Sequence, residues 1–453
     1  MTAPGTQRIA VIGSGVSGMA AGFYLSARHA VTLFEAGPRL GGHTATVDVE
    51  AAGERHAVDT GFIVFNDWTY PHFIRLLETL GVAAQPTEMS FSVHETARDF
   101  EYNGHTLGSL FAQRRNLASP SFYRLLGDIV RFNRQATRDL EKNRLTHGLT
   151  LGEYLDRQGY GEAFQRRYLL PMGAAIWSAS LDDLRGFPLA FFVRFFRNHG
   201  LLNIANRPQW YTVAGGSRAY IPALTAPYAE RIRLNAPVTA VTRDATGVDV
   251  TTAGGTERFD RVVLACHADQ TLKILGSDAT PAEREVLGAM PYQDNEVVLH
   301  TDTALLPRRR RAWASWNYRL DSRDAGDAVS VTYNMNILQR LETDTTFCVT
   351  LNDGQSIDPA KILRRFTYAH PRFTLAGQTA QARHADICGA AENHGRTHFC
   401  GAYWRNGFHE DGVWSALRVA QKLGCDEPAP PPEPPTATPA HHLLPDAGPG
   451  DTG

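Results

Sequence analysis

The sequence predicts an α/β protein built on a parallel sheet, and three features near the N-terminus support this prediction. An apolar run, Ile9–Ile12, leads into the glycine-rich turn Gly13–Gly18. A helical pattern covers residues 19–27, and a second apolar run, Ala30–Phe34, ends at Glu35. The order strand, glycine-rich turn, helix and strand is typical of a Rossmann-like unit.

The spacing of the glycines predicts a dinucleotide site. Gly13 permits a tight turn, Gly15 lets the backbone approach a pyrophosphate, and Gly18 lets the helix pack on the strand. The free N–H groups at the start of the helix would face the phosphates. Glu35 can accept hydrogen bonds from both ribose hydroxyls, and its charge disfavours a 2′-phosphate. The alternative is an ordinary glycine-rich turn without a ligand.

Composition narrows the class of protein. The chain has 453 residues and a formal net charge of −2, so it carries no global charge signature of a nucleic-acid-binding protein. Its five cysteines are widely spaced and odd in number, which argues against a disulfide framework and fits a reducing compartment. No signal peptide and no membrane span is expected. We therefore predict a cytoplasmic protein, with peripheral contact to the inner membrane face left open and no prediction of oligomeric state.

A chain of this length predicts two interleaved domains. The nucleotide-binding domain is assigned to residues 1–66, 206–290 and 391–425, and an α+β substrate domain to residues 67–205 and 291–390. Residues 426–453 are rich in proline and are expected to be a disordered tail. No spacing typical of a metal site is present.

Local patterns predict several elements of this second domain. Residues 73–80 have helical periodicity ending at Gly81, residues 91–94 and 100–102 alternate as strands do, and Pro120 begins a helix. Thr150 and Glu153 form a capping-box pattern. A further helix is expected over residues 217–228.

Two segments allow more than one interpretation. The aromatic stretch Phe187–Arg197 is either a buried helix, or the wall of a lipid-sized tunnel, or a surface that dips into a membrane. Arg308–Arg311, which precede Trp313 and Trp316, are either a solvated loop or a contact for an anionic head group or an acyl-carrier phosphate.

The residues after Glu35 decide which dinucleotide is favoured. Arg39, Gly41 and Gly42 resemble the Gly-x-Arg-x-Gly-Gly signature of FAD-containing amine-oxidase-type flavoproteins, the superfamily that includes protoporphyrinogen-oxidase-like proteins. In that superfamily the arginine and the glycine pair lie along the diphosphate and towards the flavin. His43 stands where an arginine often follows the pair.

Later motifs match the same superfamily in the right order, from about residue 8 to residue 423. The matching segments are Val58–Phe62, Ala236–Val241, Phe259–Cys266, Phe399–Ala402 and Glu410–Val413. The resemblance implies a Rossmann-like FAD-binding domain interleaved with an α+β substrate domain. The residues that it assigns to FAD are Gly13, Ser14, Gly15, Val16, Ser17, Gly18, Glu35, Ala36, Arg39, Gly41, Gly42, His43, Thr44, Thr60, Gly61, Phe62, Val238, Gly401, Asp411, Gly412 and Val413.

The chemistry next to the flavin departs from that of the amine oxidases. Many of them carry a lysine near the flavin, whereas the corresponding strand here offers Asn295 and Glu296 and no lysine. Candidates for proton handling are therefore His43, Glu296, Tyr403 and His409. No cysteine lies where a covalent flavin bond is expected, so the resemblance implies non-covalent FAD.

The resemblance extends most closely to bacterial NAD/FAD-binding proteins of the amine-oxidase type that are associated with cyclopropane fatty acid synthases. It implies a hydrophobic, fatty-acyl or lipid substrate that is dehydrogenated or isomerised by hydride transfer. One alternative is an amine oxidase that produces aldehyde and hydrogen peroxide. A second alternative is a non-catalytic lipid carrier, which the intact pyrophosphate motif of Gly13–Gly18 disfavours.

Overall fold

The structure is a computed structural model that describes residues 5–51, 53–145, 148–177, 179–320 and 330–428. The predicted proline-rich tail lies almost wholly outside the described residues. In the part of the chain that is described, no helix combines the length and the apolar character needed to cross a bilayer.

The strands of the described residues are, in chain order, β1 (Arg8–Ile12), β2 (Ala30–Phe34), β3 (Thr46–Ala51), β4 (Glu54–Asp59), β5 (Phe65–Asn66), β6 (Ala84–Thr87), β7 (Phe91–Glu95), β8 (Phe100–Asn103), β9 (Trp210–Val213), β10 (Ile232–Arg233), β11 (Val238–Arg243), β12 (Val248–Thr252), β13 (Gly255–Phe259), β14 (Arg261–Leu264), β15 (Tyr292–His300), β16 (Trp316–Leu320), β17 (Val331–Asn334), β18 (Cys348–Leu351), β19 (Ile362–Pro371) and β20 (Thr397–Phe399).

The α-helices of the described residues are α1 (Val16–Ser26), α2 (Pro71–Leu80), α3 (Leu107–Leu110), α4 (Pro120–Glu141), α5 (Leu151–Arg157), α6 (Glu162–Phe164), α7 (Leu170–Trp177), α8 (Leu181–Arg185), α9 (Leu189–Asn198), α10 (Ile221–Thr225), α11 (Ala268–Leu275), α12 (Pro281–Gly288), α13 (Met335–Leu338), α14 (Leu375–Gln381), α15 (His384–Ile387) and α16 (His409–Lys422).

A parallel sheet carries the predicted nucleotide site. Its strand order is β10-β2-β1-β14-β20, and all four pairings are parallel. The side chains of Ile9, Ala10 and Val11 on the central strand are fully buried. Helix α1 follows β1 directly and packs against α16, so the glycine-rich turn lies at the carboxyl end of the sheet. This arrangement is the predicted Rossmann-like unit.

A second, seven-stranded sheet has the order β19-β15-β18-β17-β16-β7-β8. The pairing of β7 with β16 is parallel, and the other pairings are antiparallel. Helices α4 to α9 share one apolar core with this sheet. Strands from residues 67–205 and from residues 291–390 therefore meet in one sheet, although the exact predicted domain boundaries stay a prediction.

Most of the predicted local elements are confirmed. Helix α2 ends at Gly81, whose φ of +66° is left-handed, and α4 begins at Pro120. The capping box of Thr150 and Glu153 is formed. The expected helix over residues 217–228 is wrong in part, because the segment breaks into short turns around α10. The prolines in this segment lack the N–H group that a continuous helix needs.

The aromatic segment forms α9, and the burial of its rings excludes one of the three interpretations. Phe191, Phe192, Phe195 and Phe196 are buried, whereas the arginines of the helix are exposed. These rings therefore lie inside the protein and do not form a surface for insertion into a membrane.

Candidate functional site

The glycine-rich turn contains glycines that serve different purposes. A β-carbon at Gly18 would lie 1.9 Å from the carbonyl oxygen of Gly13, so packing of the chain itself excludes a side chain there. Gly13 has a φ of +100°, which L-residues rarely adopt. A β-carbon at Gly15, in contrast, would meet no protein atom within 4 Å. The fold does not require glycine at position 15, but a ligand that approaches the backbone does.

Glu35 lies at the end of β2, next to this turn. Its carboxylate accepts hydrogen bonds from the backbone N–H of Ser14 at 2.9 Å and from the N–H of Gly37 at 2.7 Å. The hydroxyl of Ser14 donates to the same carboxylate. The N–H of Ala236 donates to the carbonyl of Glu35 at 2.9 Å, which places the start of β11, with Val238, beside this corner. Glu35 and Val238 thus lie beside the glycine-rich turn, and their contacts with ribose and adenine stay predictions.

The loop after β2 lies across the turn. The backbone N–H of Gly41 donates to the carbonyl of Ser14 at 3.0 Å, and a β-carbon at Gly42 would lie 3.4 Å from the Cα of Gly15. The guanidinium of Arg39 donates to the carbonyl oxygens of Gly42 at 2.9 Å and of Thr44 at 3.2 Å. Arg39 therefore holds the shape of this loop, and it is exposed, as is Ala36. Ser14 and Gly41 bring the two predicted cofactor segments together.

The turn of Thr60, Gly61 and Phe62 packs on the same loop. A β-carbon at Gly61 would lie 2.1 Å from the carbonyl oxygen of His43, and the N–H of Phe62 donates to that oxygen at 2.8 Å. The N–H of Thr60 donates to Ala45 at 2.8 Å. This close contact fixes the position of His43.

The C-terminal helix α16 packs against the start of α1, next to the glycine-rich turn. A β-carbon at Gly412 would lie 2.7 Å from Val16 and 2.8 Å from the hydroxyl of Ser17, so α16 crosses the start of α1 closely. Val413 is fully buried next to this crossing. The N–H of Gly401 donates to the side chain of Ser415 at 2.9 Å.

Asp411 has a structural role that the sequence did not predict. Its carboxylate accepts hydrogen bonds from the N–H groups of Phe408 at 2.9 Å and Asn406 at 3.2 Å, and so it caps α16. Burial raises the pKa of Asp411 to about 6, despite the nearby guanidinium of Arg405. The contact of Asp411 with the cofactor stays a prediction, since Oδ2 accepts both of these bonds and the carboxylate of Glu35 is hydrogen-bonded to the chain in the same way.

A group of imidazole and phenol rings lies over the loop at His43. The ring centroid of His43 is 5.1 Å from that of Tyr368, 5.2 Å from that of His370 and 6.2 Å from that of His267. His267 stacks on Tyr292 at 4.3 Å. These five residues form what we call the ring cluster. Burial lowers the pKa of His43 well below its usual value and that of His370 to about 4, so both rings are neutral at pH 7.

One buried polar atom of this cluster points to a bound group. The Nε2 of His43 has no hydrogen-bond partner among the described residues. Tyr403 lies next to the cluster, with its ring centroid 6.3 Å from that of Tyr292, and its hydroxyl interacts with the indole of Trp404. Buried polar atoms are usually hydrogen-bonded, so the free nitrogen of His43 favours a ligand there.

His409 belongs to a different part of the site. Its Nε2 lies 3.0 Å from the hydroxyls of both Thr44 and Tyr220, and its ring stacks on Phe62 at 3.5 Å. Burial lowers the pKa of His409 to about 3. His409 is therefore a neutral residue that positions Thr44 and Phe62, both of which were predicted to contact the cofactor.

Glu296 is separated from the other candidates. Neighbouring residues of a strand face opposite sides of the sheet. The amide of Asn295 lies 3.0 Å from the Nδ1 of His370, whereas Glu296 on the other face pairs with Arg365 and accepts the N–H of Gly354 at 3.1 Å. The prediction that Glu296 takes part in the chemistry is therefore wrong. Asn295 takes its place beside the ring cluster.

Several residues of the cluster were missed from the sequence. His267, Tyr292, Tyr368 and His370 belong to no recognisable motif. The one local signal is that His267 follows the strand β14 at its carboxyl end, where ligands of parallel sheets bind.

The comparisons with known proteins agree with this geometry. Residues 16–315 match the family described as flavin containing amine oxidoreductase. The chain belongs to this family.

A flavin-containing amine oxidoreductase of Mycobacterium tuberculosis, which carries the name flavin-containing monoamine oxidase AofH, is 27% identical over 297 residues. The aligned part covers 63% of this chain and 62% of that relative, which is less than two thirds of its length.

Solved structures share the fold. Cyclohexylamine oxidase from Brevibacterium oxydans aligns with a TM-score of 0.66 and 17% identity, over 92% of this chain and 100% of that chain. A fatty acid isomerase from P. acnes, which produces CLA, aligns with a TM-score of 0.65 and 17% identity, over 92% and 98% of the two chains. At this identity the likeness is one of fold.

FAD is accordingly the cofactor of this site, and the residues present fit it. The open space at Gly15, the carboxylate of Glu35 and the unpartnered Nε2 of His43 all lie along the surface that the two loops form. Burial raises the pKa of all five cysteine thiols, that of Cys266 to about 11. A raised pKa disfavours the thiolate that a thioether bond to flavin would need, so the thiols fit non-covalent binding.

Proposed function

We propose that this flavoprotein oxidises or isomerises a neutral, hydrophobic substrate of the fatty-acyl or lipid class. The observation that carries the proposal is a continuous aromatic wall from the helical layer to the flavin loop. Its members are Phe373, Phe191, Trp177, Phe195, Phe408 and Phe62. The first five rings contact one another in this order, with centroid separations of 5.3, 5.9, 4.6 and 5.4 Å, and Phe62 is reached from Phe408 through the stacked ring of His409.

The wall reaches the reactive region through the start of α16. Phe408 directly precedes His409, and His409 stacks on Phe62. Phe62 follows the Gly61 turn that packs against His43. An acyl chain lying along these rings would therefore have one end beside the ring cluster.

The charge of the region also favours a neutral substrate. The rings that contact His43 are two imidazoles and one phenol. Burial keeps the pKa of His43, His267 and His370 below the usual value of histidine, and at His267 it does so against the charges of Asp269 and Asp294. An alkylammonium ion would find no carboxylate partner among these residues. A hydrocarbon chain needs no charged partner, so neutral surroundings suit it.

FAD, when bound, supplies the acceptor for a hydride removed from carbon. The chain itself binds, orients and excludes water. Phe408 and its neighbours hold apolar surface away from solvent, while Asn295 orients the imidazole of His370 through their 3.0 Å contact. The Nε2 of His43 is the atom positioned to hydrogen-bond a polar group of the substrate or of the cofactor.

Amine oxidation is the second candidate, and the similarity to the M. tuberculosis monoamine oxidase favours it. The structural neighbours do not separate the two candidates, since they include both a cyclohexylamine oxidase and a fatty acid isomerase. A non-catalytic lipid carrier is the third candidate, and the space kept open at Gly15 disfavours it.

A pair of matched substrates tests the proposal. The visible spectrum of the FAD-loaded protein is recorded under anaerobic conditions with a fatty acid, with bacterial phospholipid, and with an alkylamine of the same chain length. Bleaching or a product double-bond shift with the acyl compounds supports the proposal. Bleaching by the amine alone supports an amine oxidase instead. A protein that cannot be loaded with FAD supports the carrier.

A variant of the aromatic wall sharpens the distinction. Phe408 is partly exposed at the start of α16, where the helix dipole tolerates an acidic residue. Phe408→Glu is expected to raise the KM for an acyl substrate by at least about tenfold, because the carboxylate loses hydration beside the chain. The control is Phe408→Gln, because glutamine has the same shape as glutamate but carries no charge. An unchanged KM for the acyl substrate in Phe408→Glu would contradict the proposal.

A further inference from the structure

One short stretch of the chain exposes an unusual share of apolar surface. Seven large apolar side chains are exposed in the described residues, and three of them lie between residues 107 and 123: Leu107 at 77%, Leu117 at 53% and Tyr123 at 49%. Leu117 and Tyr123 are neighbours in space, because the hydroxyl of Tyr123 donates to the carbonyl of Leu117 at 3.0 Å, and α3, which begins at Leu107, contacts the turn Arg310–Ala312. We call these three residues the apolar tips.

Arginines surround the apolar tips. The carboxylate of Asp99 lies 3.3 Å from the guanidinium groups of both Arg115 and Arg308, and Glu101 pairs with Arg309 at 2.6 Å. These ion pairs join the run of four arginines that the sequence singles out to the stretch after α3. We define the arginine face as Arg98, Arg114, Arg115, Arg167 and Arg308–Arg311.

The arginine face has an excess of positive charge. Its eight arginines stand against four nearby carboxylates, those of Glu88, Glu95, Asp99 and Glu101, which leaves a local net charge of +4. The whole chain has a net charge of −2. The positive charge is therefore concentrated at this place and is not a property of the whole surface.

A pocket of about 250 Å³ opens within the arginine face. Arg98, Arg115 and Arg167 line it together with the hydroxyl-bearing Ser119 and Ser121. Its apolar lining comes from Phe100, Phe122 and Leu125. Arg98 and Arg167 both pair with Glu95, and Arg115 pairs with Asp99, so three guanidinium groups face two carboxylates. This excess of positive charge, the serine hydroxyls and the apolar surface beside them suit a phosphate group.

We propose that the arginine face docks on an anionic phospholipid bilayer, with a headgroup phosphate in the pocket. Guanidinium groups beside exposed apolar side chains match the two layers of such a surface, which are phosphates and, just below them, acyl chains. An acidic protein would pair with the arginines but would not account for Leu107 and Leu117. This proposal concerns the location of the protein and goes beyond the proposed reaction.

The test measures sedimentation of the full-length, FAD-loaded protein with vesicles of phosphatidylcholine alone and of phosphatidylcholine mixed with phosphatidylglycerol. Binding is expected to the mixed vesicles and to weaken as salt is raised. Arg114→Ala/Arg310→Ala/Arg311→Ala should lower the partition coefficient by about two orders of magnitude, since each arginine near an anionic membrane contributes about fivefold.

The control triple variant removes the same charge elsewhere. Arg134, Arg138 and Arg364 are exposed, and Arg134 lies about 21 Å along α4 from its start. Replacing these three with alanine should leave vesicle binding unchanged. Equal losses in the two triple variants would overturn the proposal, because they would reflect net charge and not this face.

A single substitution tests the pocket. Ser121→Asp places a carboxylate among the arginines, and it does so in the first turn of α4, where an acidic residue stabilises a helix. We expect at least fivefold weaker binding to the mixed vesicles, with Ser121→Asn as the neutral control. Unchanged binding in Ser121→Asp, or no vesicle binding by the wild type, would overturn the proposal. None of these outcomes depends on whether the protein oxidises a lipid.

Discussion

Gly15→Ala should separate the requirements of FAD binding from those of folding. An added β-carbon would have no protein atom within 4 Å, and the backbone angles of Gly15, φ −60° and ψ 173°, are readily adopted by alanine. We therefore expect the free energy of unfolding of the apoprotein to change by less than about 0.5 kcal/mol.

The same β-carbon would occupy the space through which the pyrophosphate approaches the backbone. Moving the phosphate away would weaken or break at least one hydrogen bond to a charged group, which contributes about 1.5–3 kcal/mol. The dissociation constant of FAD is then expected to rise by roughly 10- to 150-fold.

Two measurements and two further glycines, one in the same turn and one in α4, complete the design. FAD affinity is measured by quenching of flavin fluorescence, and apoprotein stability by denaturant unfolding. Gly18→Ala should lower both FAD affinity and the stability of the apoprotein, because its β-carbon would lie 1.9 Å from the carbonyl oxygen of Gly13. Gly127→Ala, on open surface inside α4, should stabilise the apoprotein by about 0.5–1 kcal/mol. The reasoning is refuted if Gly15→Ala destabilises the apoprotein by several kcal/mol or binds FAD like the wild type.

Three further predictions concern single side chains. Glu35→Gln should raise the dissociation constant of FAD about tenfold in calorimetric titration, because it weakens a charged acceptor at the ribose; an unchanged affinity would remove Glu35 from the site. Tyr403→Phe removes a buried hydroxyl whose interaction is with the indole of Trp404, so the unfolding free energy of the apoprotein should change by less than about 1.5 kcal/mol, and a larger fall would show a stronger partner. Burial raises the pKa of Glu410 to about 7 from 4.5, so the folded state holds this proton more tightly than the unfolded state. The resulting stability is present at low pH and is lost as the pH rises through about 7, by up to about 3 kcal/mol, and a denaturation series across this range should be flatter in Glu410→Gln.

The cofactor segments could be predicted because their requirements are local. Gly13, Gly18 and Glu35 lie within a single strand–turn–helix–strand unit, and backbone sterics and strand ends fix their positions over a few residues. The second glycine pair, Gly41 and Gly42, was assigned by resemblance, and its backbone contact with Ser14 and Gly15 agrees with that assignment.

The sequence by itself therefore determined the α/β class, the dinucleotide turn and the choice of FAD. Only the tertiary structure decided which residues surround His43. Tyr368 and His370 reach it from a strand more than 300 residues away, and such contacts depend on sheet register, which leaves no local pattern. Register also explains why Asn295 faces the ring cluster and Glu296 does not: on a strand, a shift of one residue turns a side chain to the other face.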